Sequence, residues 1–341
     1  MKRISYIILT LALGSVFSCS KQDSSVAPVA GGEIRFSDGV GAELITKADV
    51  DDALTESGIS GFAVYGWNTG ETQWSSVSSL GTNIFNNIQT VKSADSYVTV
   101  GDKKYWGPGY YHFAAYGPYK ESSPATFEGY GNSFVLKFTD YQTLTSLDDL
   151  IYSDFATDKV NADGTVDLNF RHALSRILFK FDVNDSEKMV ENSGSKITLI
   201  KIEPLSISLG NFYTKASFTY NGTTASWTGL SEKGNIANSS VVKSETGYDA
   251  YVLPQTLTDD ATFSFTYNIV YHSSDTEVTA GPFTASGLEF LEGTGGTWTE
   301  LQMGMQYSVL VKVNAFSGEI IKIAAPVEEA WEAATGTIET K

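Results

Sequence analysis

Cysteine is almost absent: the 341 residues contain one, Cys19. A lone thiol excludes an internal disulfide, so a stable body has to come from core size and sheet pairing. Histidine is nearly as scarce. The three residues, His112, His172 and His272, lie far apart inside alternating aromatic runs, which excludes zinc motifs built on short His spacings. Basic residues are outnumbered, 23 Lys and Arg against 40 Asp and Glu, for a formal net charge of −17. That leaves no basic cluster to meet nucleic acid or an anionic membrane surface. The acidic charge is spread thinly along the chain and reads as a solubility feature. Helical periodicity is weak, with one helical turn suggested at Ala48–Glu56. The apolar segment Ile4–Leu13 falls well short of the roughly 20 residues of a membrane-spanning helix.

That segment has a different meaning. Lys2 and Arg3 precede it, small residues (Gly14, Ser15, Ser18) follow it, and then comes Cys19. This is the layout of an export signal. Val16-Phe17-Ser18-Cys19 resembles a bacterial lipobox at its first, third and fourth places, whereas Phe17 stands where a small or medium residue is usual. The reading is a lipoprotein signal peptide over residues 1–18, with Cys19 acylated and exposed as the new first residue. The alternative is an ordinary secretory signal with an incidental cysteine. A multiply acylated cysteine is a stable anchor where a single chain is not, so membrane contact is expected through the lipid alone. Residues 19–32, polar and small, read as a flexible tether.

Eighteen Tyr, 19 Phe and 31 Gly against 8 Pro suggest strands joined by glycine turns. Alternation with period two recurs from residue 60 onward. Phe62 and Val64 share one face, with Tyr65 and Trp67 on the other; Tyr111, Phe113 and Ala115 are in phase, as are Phe134, Leu136 and Phe138. Further on come Ile177, Phe179, Phe181 and Val183, then Phe263 to Tyr271, then Tyr307 to Val313. This pattern predicts an all-β protein of two β-sandwich domains rather than a parallel sheet. The strong turn Asn161-Ala162-Asp163-Gly164 suggests a seam near residue 165, giving domains of residues 33–165 and 166–341.

Catalytic chemistry is poorly supplied. Ser193-Gly194-Ser195-Lys196 matches Ser-x-x-Lys without its companion motifs and reads as a polar hairpin turn. The glycine-rich Gly293–Trp298 precedes a strand, so no helix N-terminus is there to cradle phosphate. Asn161, Asp163 and Asp167 lack the bidentate Glu of a calcium loop. No active site, metal or cofactor is expected. Trp67, Trp74, Trp106 and Trp227 fall near strand ends or loops. Trp67 and Trp106 are the candidate platforms for stacking on a glycan or host-surface ligand, against the plainer reading that such rings plug sandwich ends.

Three stretches carry a family resemblance. Trp106 with Tyr111 to Tyr116 and Pro118, Phe170-x-His172-Ala173-Leu174-Ser175, and Val252-Leu253-Pro254, together with Gly304 and Tyr307, resemble the fimbrillin family, lipoprotein-derived subunits of type V pili. The resemblance covers most of the mature chain. It implies two transthyretin-like sandwiches in tandem, a structural role for His172, and a non-enzymatic surface protein assembling into a fimbrium at the outer membrane. It also implies a mechanism, in which an N-terminal strand closes the subunit until a protease cuts after a basic residue beyond it. A neighbouring pilus subunit then fills the groove by β-strand addition. Here the removable first strand falls in Gly32–Val40, with Ile34 and Phe36 facing inward. Cleavage is expected after Lys47, with Arg35 as the second choice; the family's better-known subunits carry Arg where this chain has Lys47. The position in a pilus (stalk, tip or accessory) stays open, as does glycan binding as a rival function.

Overall fold

The computed structural model describes residues 31–37, 61–94, 96–145, 148–160, 165–183, 191–192, 195–237, 241–243, 247–273, 277–289, 299–314 and 320–330. Within them the chain is all-β, as alternation and glycine breaks predict, and the only helices are three short 3-10 turns. The first strands are β1 (Arg35–Ser37), β2 (Ala63–Asn68), β3 (Thr82–Ser93), β4 (Ser96–Thr99), β5 (Tyr111–Gly117), β6 (Ala125–Glu128), β7 (Val135–Gln142), β8 (Ile151–Ser153), β9 (Ala156–Lys159) and β10 (Thr165–Asp167). Next come β11 (Phe170–His172), β12 (Ser175–Val183), β13 (Glu191–Asn192), β14 (Ser195–Tyr220), β15 (Ala225–Ile236), β16 (Val241–Lys243) and β17 (Tyr248–Val252). The last are β18 (Gln255–Thr256), β19 (Thr262–Ser273), β20 (Glu277–Glu289), β21 (Glu300–Leu301), β22 (Met305–Val313) and β23 (Ile320–Ala330).

Three sheets carry the architecture. A nine-stranded sheet runs β10-β1-β4-β3-β2-β5-β8-β11, with β9 also paired to β5. A seven-stranded sheet runs β20-β19-β14-β7-β6, with β13 and β15 also on β14. A five-stranded sheet runs β16-β17-β12-β22-β23. Most pairings are antiparallel, but β12 and β22 run parallel in register from Arg176↔Gln306 to Val183↔Val313, and β1 runs parallel to β10.

Side-chain alternation distributes the sheets over three cores. Phe36 and Val166 from one flank of the nine-stranded sheet join Ile151 and Phe170 from the other, with Phe62 and Phe113 among them, so that sheet curls around the first core. Its opposite face, with Ala63, Tyr65, Trp67, Ala114 and Tyr116, packs on Leu136 and Phe138 of β7 and on Phe218 of β14, forming the second. The third lies between the five-stranded sheet (Ile177, Phe179, Val309, Val311) and β14 with β19 (Ile207, Leu209, Phe263, Phe265). β14, at 26 residues, serves both the second and third cores. Residue 165 does not separate the sheets. β10, which straddles it, and β11, after it, complete the nine-stranded sheet, whereas β6 and β7, before it, extend the seven-stranded one through β14.

The start of β2 is fixed without help from the N-terminal segment. Gly61 has φ +111°, and a Cβ there would meet the Thr90 carbonyl oxygen at 1.5 Å, so only glycine fits this crossing. Beside it, the Phe62 amide donates to Thr90 Oγ1 at 3.1 Å.

Candidate functional site

β1 is short, and alternation decides what it buries. Ile34 is 1 % exposed and Phe36 0 %, while the Arg35 side chain, pointing the other way, is 46 % exposed. Phe36 sits among three rings, Phe113 at 5.5 Å, Phe85 at 5.7 Å and Phe62 at 6.4 Å between centroids, each edge-on to it. The backbone holds the strand more lightly. Toward β10 three residues are in register, from Arg35↔Thr165 to Ser37↔Asp167; toward β4 only Phe36↔Tyr97 is. Further bonds come from the flanks: the Ile34 amide donates to the Lys104 carbonyl (2.8 Å), the Trp106 amide to that of Gly32 (2.9 Å) and the Leu168 amide to that of Ser37 (2.9 Å). Outside the groove, Glu33 accepts from Arg35 and Lys103. Burial works against the charge on Glu33, but those two hydrogen bonds outweigh it and hold the carboxyl below its usual range. At the far end Ser37 Oγ donates to Asp167 Oδ1 at 2.5 Å. The result is a short apolar plug, paired along its length toward β10 and at one residue toward β4, with flanking backbone bonds to residues 104–106.

Of the residues singled out from the sequence, Ile34, Phe36 and Arg35 belong to this site. Cys19, Lys47, residues 38–40 and the turn at Ala48–Glu56 lie outside the described residues, as do Asn161, Asp163 and Gly293–Trp298. Asp167 is described and bonds Ser37, and among the described residues no group of three His, Cys, Asp or Glu is placed to hold a metal ion. Trp67 and Trp106, the candidate ligand platforms, are each only 4 % exposed, in keeping with the plainer reading of rings that plug the sandwich. Trp67 stands edge-on to Phe127 and Phe134 in the second core, and Trp106 edge-on to Tyr111 in the first. For Trp67 the cause is that β2 is covered on both faces, so a ring on either side is inside; Trp106, on the segment before β5, is held inward by backbone bonds with Gly31 and Gly32. Trp74 is 8 % exposed, and Trp227 Nε1 donates to the Ala173 carbonyl.

The histidines are not grouped for catalysis. His112 Nδ1 accepts from the Asp158 amide (3.0 Å) and Nε2 bonds Thr69 Oγ1 (2.8 Å), with Trp74 packed over the ring at 4.5 Å. Burial pushes its pKa down to about 4, opposed by the Asp158 charge, so the ring is neutral near pH 7. His172 Nδ1 lies 2.7 Å from Asp149 Oδ2, with both side chains 2 % exposed. Sequence reasoning also missed Arg176, whose guanidinium meets the fully buried Asp249 through Nε (2.8 Å) and Nη2 (2.6 Å). The signal was an acid within the otherwise apolar stretch Tyr248–Val252 and an Arg near the start of the apolar β12.

Among the described residues no helix is long and apolar enough to cross a membrane. The chain is similar in fold to a crystal structure of a fimbrial protein from Bacteroides vulgatus ATCC 8482, with 17 % identity and a TM-score of 0.48 over 88 % of this chain and 100 % of that one. A protein described as a cell adhesion protein from Bacteroides uniformis ATCC 8492 matches with 17 % identity and a TM-score of 0.46, over 88 % and 97 %. One so described from Bacteroides ovatus ATCC 8483 matches with 16 % identity and a TM-score of 0.47, over the same shares. No curated protein sequence matches. The decisive likeness is to a family model described as fimbrillin-like, which matches residues 46–331 and so spans everything from β2 to β23. On that match the chain belongs to the fimbrillin-like family.

Proposed function

We propose that this fimbrillin-like chain is a non-enzymatic, surface-exposed subunit of a fimbrium. In this reading residues 1–18 direct export, Cys19 carries the lipid anchor in the outer membrane, and residues 19–32 hold the body away from it. Cleavage after Lys47 then removes the lipid and β1 together. The vacated groove presents apolar side chains and unpaired edges of β4 and β10, a template that a strand of a neighbouring pilus subunit fills.

The observation that carries the reading is the contrast at β1: complete burial of Phe36 on a strand with a single residue in register toward β4. Losing Ile34 and Phe36 removes apolar burial of roughly 3–5 kcal/mol as an upper estimate, enough to drive capture of a replacement strand. Two further facts support Lys47 over Arg35. Arg35 lies inside the paired strand, next to the buried Phe36, where the backbone is already engaged by β10 and is not open to a protease. The family match begins at residue 46, leaving β1 outside it. The rival reading, glycan stacking on Trp67 and Trp106, loses its surface because both rings are buried.

The test is Lys47→Ala. The variant is expected to stay a lipidated monomer when protease is added, while the parent forms polymer ladders on a gel. A variant that loses its first strand at the same site, or polymerises as readily as the parent, overturns the mechanism.

A further inference from the structure

Taking strand replacement as proposed above, we infer that the groove selects its incoming strand by an aromatic ring, and that the strand comes from a different chain. The selecting element is the socket that holds Phe36. Phe62, Phe85 and Phe113 each meet its ring edge-on, at 5.5–6.4 Å between centroids, and Phe36 is 0 % exposed within them. Edge-to-face packing of this kind adds to the area buried, and a smaller side chain leaves a void lined by three rings that cannot follow it inward. Two residues before the ring, Ile34 at 1 % exposure fills the neighbouring place on the same face. The backbone bonds around β1 are sequence-blind, so discrimination rests on these two side chains. The required pattern is a branched aliphatic residue, any residue, then an aromatic one.

The strands that end the other two large sheets do not carry that pattern, and Leu168-Asn169-Phe170, which does at the β11 end of the nine-stranded sheet, is committed to the first core. β6, β16, β20 and β23 end the seven- and five-stranded sheets. Their sequences are ATFE, VVK, EVTAGPFTASGLE and IIKIAAPVEEA. The two Phe residues among them, Phe127 and Phe283, have Ala125 and Gly281 two places earlier, and β23 has no aromatic residue at all. A second copy donating any of these strands therefore leaves the socket or its neighbour underfilled. The matching occupant is a strand of another subunit type.

The test uses the full chain with a specific protease site placed between residues 41 and 56, nicked so that β1 stays bound without a covalent link. Fluorescent peptides of residues 31–40, the same with Phe36→Ala, and residues 320–330 then compete for the groove in urea below the unfolding midpoint. The parent peptide is expected to exchange in, the Phe36→Ala peptide to bind roughly 100-fold more weakly or worse, and the 320–330 peptide not to compete. If the Phe36→Ala or the 320–330 peptide binds within about threefold of the parent, against the roughly tenfold step that 1.4 kcal/mol represents, ring selection is overturned while strand replacement stands. If no peptide, the parent included, displaces β1, the strand is not replaceable and both readings fall.

Discussion

Replacing Phe36 by Ala tests how β1 is held. The side chain is fully buried and touches three rings, so truncation removes its transfer free energy and leaves a cavity that Phe62, Phe85 and Phe113 cannot collapse into. Phe→Ala changes in such settings cost roughly 3–5 kcal/mol. Arg35→Ala is the matched control on the same strand. Its guanidinium is 46 % exposed and pairs with Glu33 at 3.1 Å, an interaction worth about 0–1 kcal/mol at a solvent-exposed position. Because the body re-enters at the tightly fitted Gly61, the loss is expected to appear as detachment of β1 before global unfolding. Native-state hydrogen exchange reads this directly at amides that lock the strand: Ile34 to Lys104, Trp106 to Gly32, and Leu168 to Ser37. In Phe36→Ala their protection is expected to fall by roughly two to four powers of ten, and in Arg35→Ala by less than about one. If Phe36→Ala leaves these amides as protected as in the parent, side-chain burial does not hold the strand and the reasoning fails.

Arg176→Ala strands the buried Asp249 carboxylate and is expected to cost roughly 3–5 kcal/mol in thermal unfolding, whereas Arg176→Met with Asp249→Leu regains most of it; a single variant as stable as the parent contradicts this. His112 titrates at about 4 when folded, lowered by burial, so the unfolded chain binds the proton first as pH falls. Stability is then lost from about pH 6.5 downward until about pH 4, by roughly 2 kcal/mol at pH 5, and the parent is expected to show that loss in excess of His112→Gln. Equal acid slopes in the two proteins refute the assignment. Cys19→Ser is expected to abolish palmitate labelling and membrane fractionation, and labelling that persists removes the lipid anchor from the account.

Local patterns were legible where one period governs one face. The in-phase sets Phe134, Leu136 and Phe138 and Tyr307, Val309, Val311 and Val313 are all buried, and Ile34 and Phe36 point inward as alternation requires. Which strands meet was not legible. The parallel β12–β22 pairing joins residues about 130 apart in sequence, and β7 reaches across the expected seam to β14, because nothing in a strand's own period names its neighbour. The burial of Trp67 had a readable signal: Ala63-Val64-Tyr65-Gly66-Trp67 has no charged residue on either face, the mark of a strand covered on both sides. Arg176 and Asp249 each stand out in an apolar strand, but nothing in either strand names the other as its partner.

The central claim is that β1 is a removable plug, and the most direct measurement is the intact mass and N-terminal sequence of the subunit recovered from its assembled form. The account predicts a chain beginning at Ala48, without Cys19, its lipid or the Ile34–Phe36 strand. Assembled subunits that still carry residues 31–37 would contradict it.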